Sequence, residues 1–197
     1  EQLARKYYED GADELVYQDA VASLYQRNSL AEIVSKTASE IFIPLTVVGG
    51  LRSVDDIRAI LRAGADKVGI NTAAVHNPDL IKDASRTFGS QCIVLSIEAK
   101  RRGPGKWEVW VDYGRQPTGI DVIEWVTRGV ELGAGEVFLT SVDNDGMGSG
   151  YDSELVKTVT ELVPVPVIAC GGAGSREDVT RMAVEAKPDA ISAASIF

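Results

Sequence analysis

Pro44-Leu45-Thr46-Val47-Val48-Gly49-Gly50 recurs 122 positions later as Pro166-Val167-Ile168-Ala169-Cys170-Gly171-Gly172. Each copy is a short apolar run closed by two glycines, the pattern of a buried strand feeding a turn. The flanking stretches repeat as well. Gly11-Ala12-Asp13-Glu14-Leu15-Val16 returns as Gly133-Ala134-Gly135-Glu136-Val137-Phe138, also 122 positions on. Asp66-Lys67-Val68-Gly69-Ile70-Asn71-Thr72 returns as Asp189-Ala190-Ile191-Ser192-Ala193-Ala194-Ser195, 123 positions on. Three matches at offsets of 122 or 123 point to two similar halves rather than to convergent strand-turn chemistry.

Around these anchors the apolar period alternates. Short β-branched runs predict strands at 14–18, 44–48, 67–70, 92–97, 136–140, 166–170 and 190–193. Amphipathic stretches predict helices at 2–9, 31–40, 54–62, 79–88, 121–132, 153–162 and 176–186. Ser53 and Ser175, each followed by an acid three residues on, are N-cap signatures. Residues 107–112 alternate behind Gly103-Pro104-Gly105 and predict a small hairpin. Strands alternating with helices predict βαβ units and a parallel sheet. A repeat near 122 doubles to a length close to the ~250 residues of a TIM barrel. The expected fold is therefore α/β, a (βα)8 TIM barrel with a two-fold half-barrel repeat; a doubly wound open sheet is the alternative. Residues 1–197 are expected to form one barrel domain, a fragment of a roughly 250-residue protein lacking its first strand and last helix. Such an open barrel would expose two unpaired edges and is expected to be inactive and aggregation-prone alone.

The composition narrows the function classes. The 197 residues carry 20 Lys+Arg against 29 Asp+Glu, a net charge of −9. An acidic chain is a poor match for phosphate backbones, and Lys100-Arg101-Arg102 is too short a basic run for a nucleic-acid stripe. No apolar stretch reaches the ~18 residues of a membrane span, and the start has no signal-peptide character. Cys92 and Cys170 lie in apolar runs without metal-ligand spacing. A reducing, cytoplasmic setting is expected, with no metal and no organic cofactor.

In such barrels the chemistry lies at the C-terminal strand ends. Gly49-Gly50 with Asn71-Thr72, and Gly171-Gly172 with Ala194-Ser195, are expected to be two anion cradles, since glycine lets backbone N–H groups approach a phosphate. One Gly-Gly turn alone is as readily a helix start. Two at repeat-related positions, on opposite sides of one barrel mouth, point to an elongated bisphosphate ligand. Thr140 ends a strand, and Asp143, Asp145 and Gly146 lie in the polar loop it opens; they are expected to contact the ligand's middle, with a plain solvated turn as the alternative. Glu98 ends the most apolar strand, where a carboxylate suits proton transfer unless Lys100 or Arg101 neutralises it. Asp19 also ends a strand, as a substrate contact or a helix cap. His76, the single histidine, reads as a surface residue. Glu14, Lys67 and Glu136 open three strands at the opposite end, either as an ion-paired plug or as a gate for something small.

The chain resembles the cyclase subunit of imidazole glycerol phosphate synthase. The match rests on Asp13-Glu14-Leu15-Val16, Gly64-Ala65-Asp66-Lys67-Val68, residues 70–75, Phe88-Gly89-Ser90-Gln91, Ala99-Lys100-Arg101, Leu139-Thr140-Ser141-Val142-Asp143, Ser149-Gly150-Tyr151-Asp152 and Gly171-Gly172-Ala173-Gly174. The resemblance implies a lyase of histidine biosynthesis, partnered by a glutaminase at the N-terminal barrel face. Ammonia from that partner would enter past Glu14, Lys67 and Glu136. It would attack a bisphosphorylated formimino-carboxamide ribonucleotide (PRFAR), giving imidazole glycerol phosphate and an aminoimidazole carboxamide ribonucleotide (AICAR). Glu98 stands where the family has Asp, Val47-Val48 precede two glycines where it has three, and Cys170 replaces a phosphate-binding Ser. The family's other catalytic Asp lies on a first strand not found in this sequence. Glu98 is similar to a paralogous branch that supplies ammonia to a surface-polysaccharide sugar. The related ribotide isomerase, which needs no glutaminase, and a non-catalytic assembly subunit are the remaining alternatives.

Overall fold

A computed structural model of the chain describes residues 2–19, 29–194 and 196. The chain divides into two compact units, Glu1–Val94 and Leu95–Phe197. In the first, α1 (Gln2–Glu9) precedes β1 (Leu15–Gln18), α2 (Ser29–Ala38), β2 (Leu45–Val48), α3 (Val54–Arg62), β3 (Lys67–Ile70), α4 (Thr72–His76) and α5 (Asp79–Phe88). The strands pair in parallel in the order β1-β2-β3. Every residue of β2 is buried, which accounts for its unbroken apolar run: a parallel strand covered on both faces shows no alternation. Ile57 and Ile60 of α3, with Leu80 and Ile81 of α5, add to the core of this unit.

The second unit holds most of β4 (Ile93–Gly103), then β5 (Lys106–Val111), β6 (Gln116–Asp121), α6 (Val122–Glu131), β7 (Glu136–Ser141), α7 (Ser153–Leu162), β8 (Val167–Cys170), α8 (Arg176–Glu185) and β9 (Ala190–Ile191). Its parallel strands run β4-β7-β8-β9, with β5 antiparallel to β4 and β6 antiparallel to β5. The expected hairpin is therefore larger than the alternation at 107–112 indicates. β4 runs on to Gly103, and a third strand follows whose Pro117 and Gly119 hide it from a period-2 reading.

The repeat is written into the hydrogen bonding. β1–β2 pairs Leu15 with Leu45, and β7–β8 pairs Val137 with Val167, the same register 122 residues on. β2–β3 pairs Thr46 with Lys67, and β8–β9 pairs Ile168 with Ala190. Side-chain contacts follow suit. Asp66 accepts the Leu45 amide at 2.8 Å and Asp189 the Val167 amide at 2.9 Å. Ser53 caps α3 by accepting the Asp56 amide, and Ser175 caps α8 by accepting that of Asp178. Convergent strand-turn chemistry would not reproduce register, aspartate bond and cap together.

Candidate functional site

In the first unit, β1, β2 and β3 bring Asp19, Gly49-Gly50 and Asn71-Thr72 to their C-terminal ends. Asp19 is buried, and its amide donates to the Val48 carbonyl at 2.9 Å. Gly49 and Gly50 both lie in the left-handed region, at φ +106° and +72°, a turn that L side chains rarely adopt. Asn71 precedes α4, which has only five residues. His76 is the exposed last residue of α4, the surface position expected of it. At the opposite strand ends, Lys67 Nζ pairs with Glu14 at 3.1 Å.

In the second unit the repeat-related turn is also left-handed, with Gly171 at φ +88° and Gly172 at +117°. The polar loop after β7 lies directly on it. A Cβ on Gly171 would meet the Ser141 carbonyl oxygen at 2.8 Å and the Asp145 Cβ at 3.3 Å. The Gly150 amide donates to the Gly172 carbonyl at 2.8 Å, and Asn144 Nδ2 donates to the Gly150 carbonyl at 2.6 Å. Asp145 and the second glycine pair are thus one site, which the sequence had in two pieces. Gly146 is exposed, as is Ala194; Ser195 lies outside the described residues. Gly174 donates its amide to Asp178 at 3.2 Å, so the start of α8 is closed by its own carboxylate. An anion here would rest on the glycine-turn amides rather than on the helix end.

Two expected substrate contacts carry other duties. Asp143 pairs with Lys100 Nζ at 2.7 Å and accepts the Arg101 amide at 2.8 Å. Partial burial works against its ionisation, but these two contacts outweigh burial and hold its carboxyl below the ordinary value. Thr140 hydrogen-bonds Cys170, whose thiol burial pushes up.

Glu98, near the middle of β4, is only 7 % exposed. The cations nearest in sequence are committed to other carboxylates. Lys100 goes to Asp143, and Arg101 goes to Asp152 at 2.6 Å and Glu154 at 2.7 Å. Glu98 Oε2 instead accepts the Gly114 amide at 2.8 Å, from the β5–β6 turn. Sequence reasoning missed this partner; the turn residues Asp112-Tyr113-Gly114 were its only local signal. The basic run is structural throughout. Arg101 stacks over Trp107, Lys100 and Arg102 lie over Trp110, and Arg102 also pairs with Glu108. Glu136 is buried at the start of β7. Among the described residues no helix is long and apolar enough to cross a membrane, and no group of three or more potential metal ligands gathers.

Tyr151 closes the far side of the loop, its hydroxyl donating to the Ser192 carbonyl at 3.0 Å. Burial, with Cys170 and Asp178 nearby, pushes its pKa up to about 12. Above the ordinary tyrosine value of 10.0 the unfolded chain loses this proton while the folded chain keeps it. Stability is therefore expected to fall as pH rises from 10.0 to about 12. Urea melts at graded pH should show that slope lessened in Tyr151→Phe; an equal slope in the variant refutes the assignment.

Parallel β/α units with glycine turns and carboxylates at the strand C-terminal ends define an α/β enzyme of the TIM-barrel type, with its chemistry on strand-end loops. Residues 1–197 match the histidine biosynthesis protein family. The chain is 59% identical over 177 residues to imidazole glycerol phosphate synthase subunit HisF of Legionella pneumophila, covering 90% of this chain and 84% of that one. It is 51% identical over 196 residues to the subunit of the same name from two strains of Dehalococcoides mccartyi, covering 100% of this chain and 77% of each relative. The chain belongs to the histidine biosynthesis protein family and, within it, to the cyclase subunits of imidazole glycerol phosphate synthase. Its activity is that of a lyase subunit in histidine biosynthesis.

Proposed function

We propose that the chain takes ammonia from a glutaminase partner and uses it to convert PRFAR to imidazole glycerol phosphate and AICAR. The observation that carries this reading is the left-handed glycine pair found at the same register in both units, Gly49-Gly50 and Gly171-Gly172. One cradle per unit matches a ligand with two phosphates. Asn71 and Thr72 serve the first cradle, and Ala194 and Ser195 the second. Asp19 in the first unit and Asp145 and Gly146 in the second contact the substrate, and Glu98 moves the protons of ring closure. Ammonia addition and elimination then need only positioned acids and bases.

The partner docks at the N-terminal strand ends. Glu14 and Lys67 pair there in the first unit, and these two, like Glu136 at the start of β7 in the second, are assigned to passing ammonia. Phe42, just before β2, is 83% exposed and offers apolar area at that same end of the unit. Glu98 in place of Asp favours one second reading, the polysaccharide-linked paralogue.

The test is turnover of PRFAR by the full-length protein with ammonium salt, followed by AICAR release. Glutamine should substitute for ammonium only when the glutaminase is added. Ammonia-independent turnover would sink the proposal in favour of an isomerase. Ammonia consumption without AICAR would favour the paralogue.

A further inference from the structure

We propose that the β5–β6 turn, Asp112-Tyr113-Gly114, is a positioning device matched to a glutamate at position 98. The inference rests on the reading above that Glu98 is the proton-transfer group. Three successive residues of this turn are left-handed: Asp112 at φ +53°, Tyr113 at +58° and Gly114 at +68°. The first two are not glycine, so the surrounding structure imposes the conformation. The turn is closed by the Arg115 amide on the Val111 carbonyl at 3.1 Å, and Arg115 Nε donates to the Asp112 carbonyl at 2.7 Å. What this unusual backbone accomplishes is to aim the Gly114 amide at Glu98 Oε2, 2.8 Å away.

The arm that carries the turn is rigid. Trp110 of β5 is the register partner of Glu98 and lies beneath the Lys100 and Arg102 side chains. Gly114 has no room to drift, since a Cβ there would stand 3.0 Å from Val142 Cγ1, beside Asp143. The amide thus fixes the plane of one carboxylate through a bond to a charged acceptor, the stronger kind.

Side-chain length is what matches turn to residue. An aspartate at 98 would withdraw its carboxyl by about one C–C bond, ~1.5 Å. The amide–carboxylate separation would then pass the limit of a hydrogen bond. The chemical group would survive, but its orientation would not.

Three variants separate this inference from the reading beneath it. In Glu98→Asp, kcat with PRFAR and ammonium is expected to fall about ten- to hundredfold, with KM within about twofold, because orientation alone is lost. The Gly114 amide proton, assigned by NMR, should move upfield. Tyr113→Val, which forces a β-branched residue out of the left-handed region, should lower kcat similarly. The double variant Tyr113→Val/Glu98→Asp should be no worse than the poorer single one, since both break one bond. Additive losses, or an unmoved Gly114 amide in Glu98→Asp, would overturn the proposal. Glu98→Gln keeps an acceptor for Gly114 and removes the acid. If it left kcat unchanged, the catalytic assignment would fall while the amide shift still reported on the turn.

Discussion

Glu98→Gln is expected to lower kcat for PRFAR by two to four orders of magnitude, about 3–5 kcal/mol of transition-state stabilisation, with little change in KM. Two observations set the direction. Glu98 is 7 % exposed, yet the cations nearest in sequence are engaged elsewhere, Lys100 with Asp143 and Arg101 with Asp152 and Glu154. The second observation is that Gln retains the shape and an oxygen for the Gly114 amide, so the fold has no reason to shift. The loss then reports on the proton and not on packing. Steady-state rates with saturating ammonium, alongside thermal melts, decide it. A variant with normal kcat removes Glu98 from the chemistry, and one with a large fall in melting temperature makes it a core residue.

What could be read from the chain, and what could not, follows the range of the interactions involved. The helices at Gln2–Glu9, Val54–Arg62, Asp79–Phe88 and Ser153–Leu162 begin and end where apolar period and local caps put them. The two glycine turns were visible because a repeat doubles a weak signal, and identical strand register now accounts for that repeat. β6 was not visible. Its Pro117 and Gly119 argue against a strand, and it exists because Glu108 on β5 accepts the Gly119 amide at 2.7 Å. The short α4 was missed, the strand expected at 190–193 is cut to Ala190–Ile191, and the helix expected at 31–40 begins at Ser29.

The site shows the same division. Position 98 was legible as a carboxylate at the end of an apolar run. Its partner was not, because the chain makes an antiparallel excursion before returning Gly114 to it, and no local pattern encodes a contact across sixteen residues. Asp143 was read as a substrate contact because it stands in a polar loop. Its ion pair with Lys100 crosses from β7 to β4 and follows only from their being neighbours in the sheet.

Gly172→Ala is expected to do the greatest damage among the cradle residues, to both stability and substrate binding. A Cβ at 172 would stand 2.2 Å from the Gly150 carbonyl oxygen and 2.7 Å from its carbon, both backbone atoms that cannot rotate away. The residue also sits at φ +117°, which alanine disfavours even where space exists. The loop would have to lift, breaking the Gly150–Gly172 bond of 2.8 Å and exposing the Asn144 bond to Gly150 to water. Strain and lost packing together amount to roughly 2–4 kcal/mol, or about 5–15 °C in Tm. Because the displaced loop carries Asp145, KM for PRFAR should rise by tenfold or more, with kcat falling less. Gly11→Ala is the control: φ is +91° there, but nothing lies within 4 Å of its Cβ, so only conformational strain remains. That strain is about 1 kcal/mol and a few degrees. The contrast between the two variants isolates the steric contact from the left-handed backbone. A Gly172→Ala protein that melts and binds like Gly11→Ala would show that the loop after β7 is not seated on the second glycine turn.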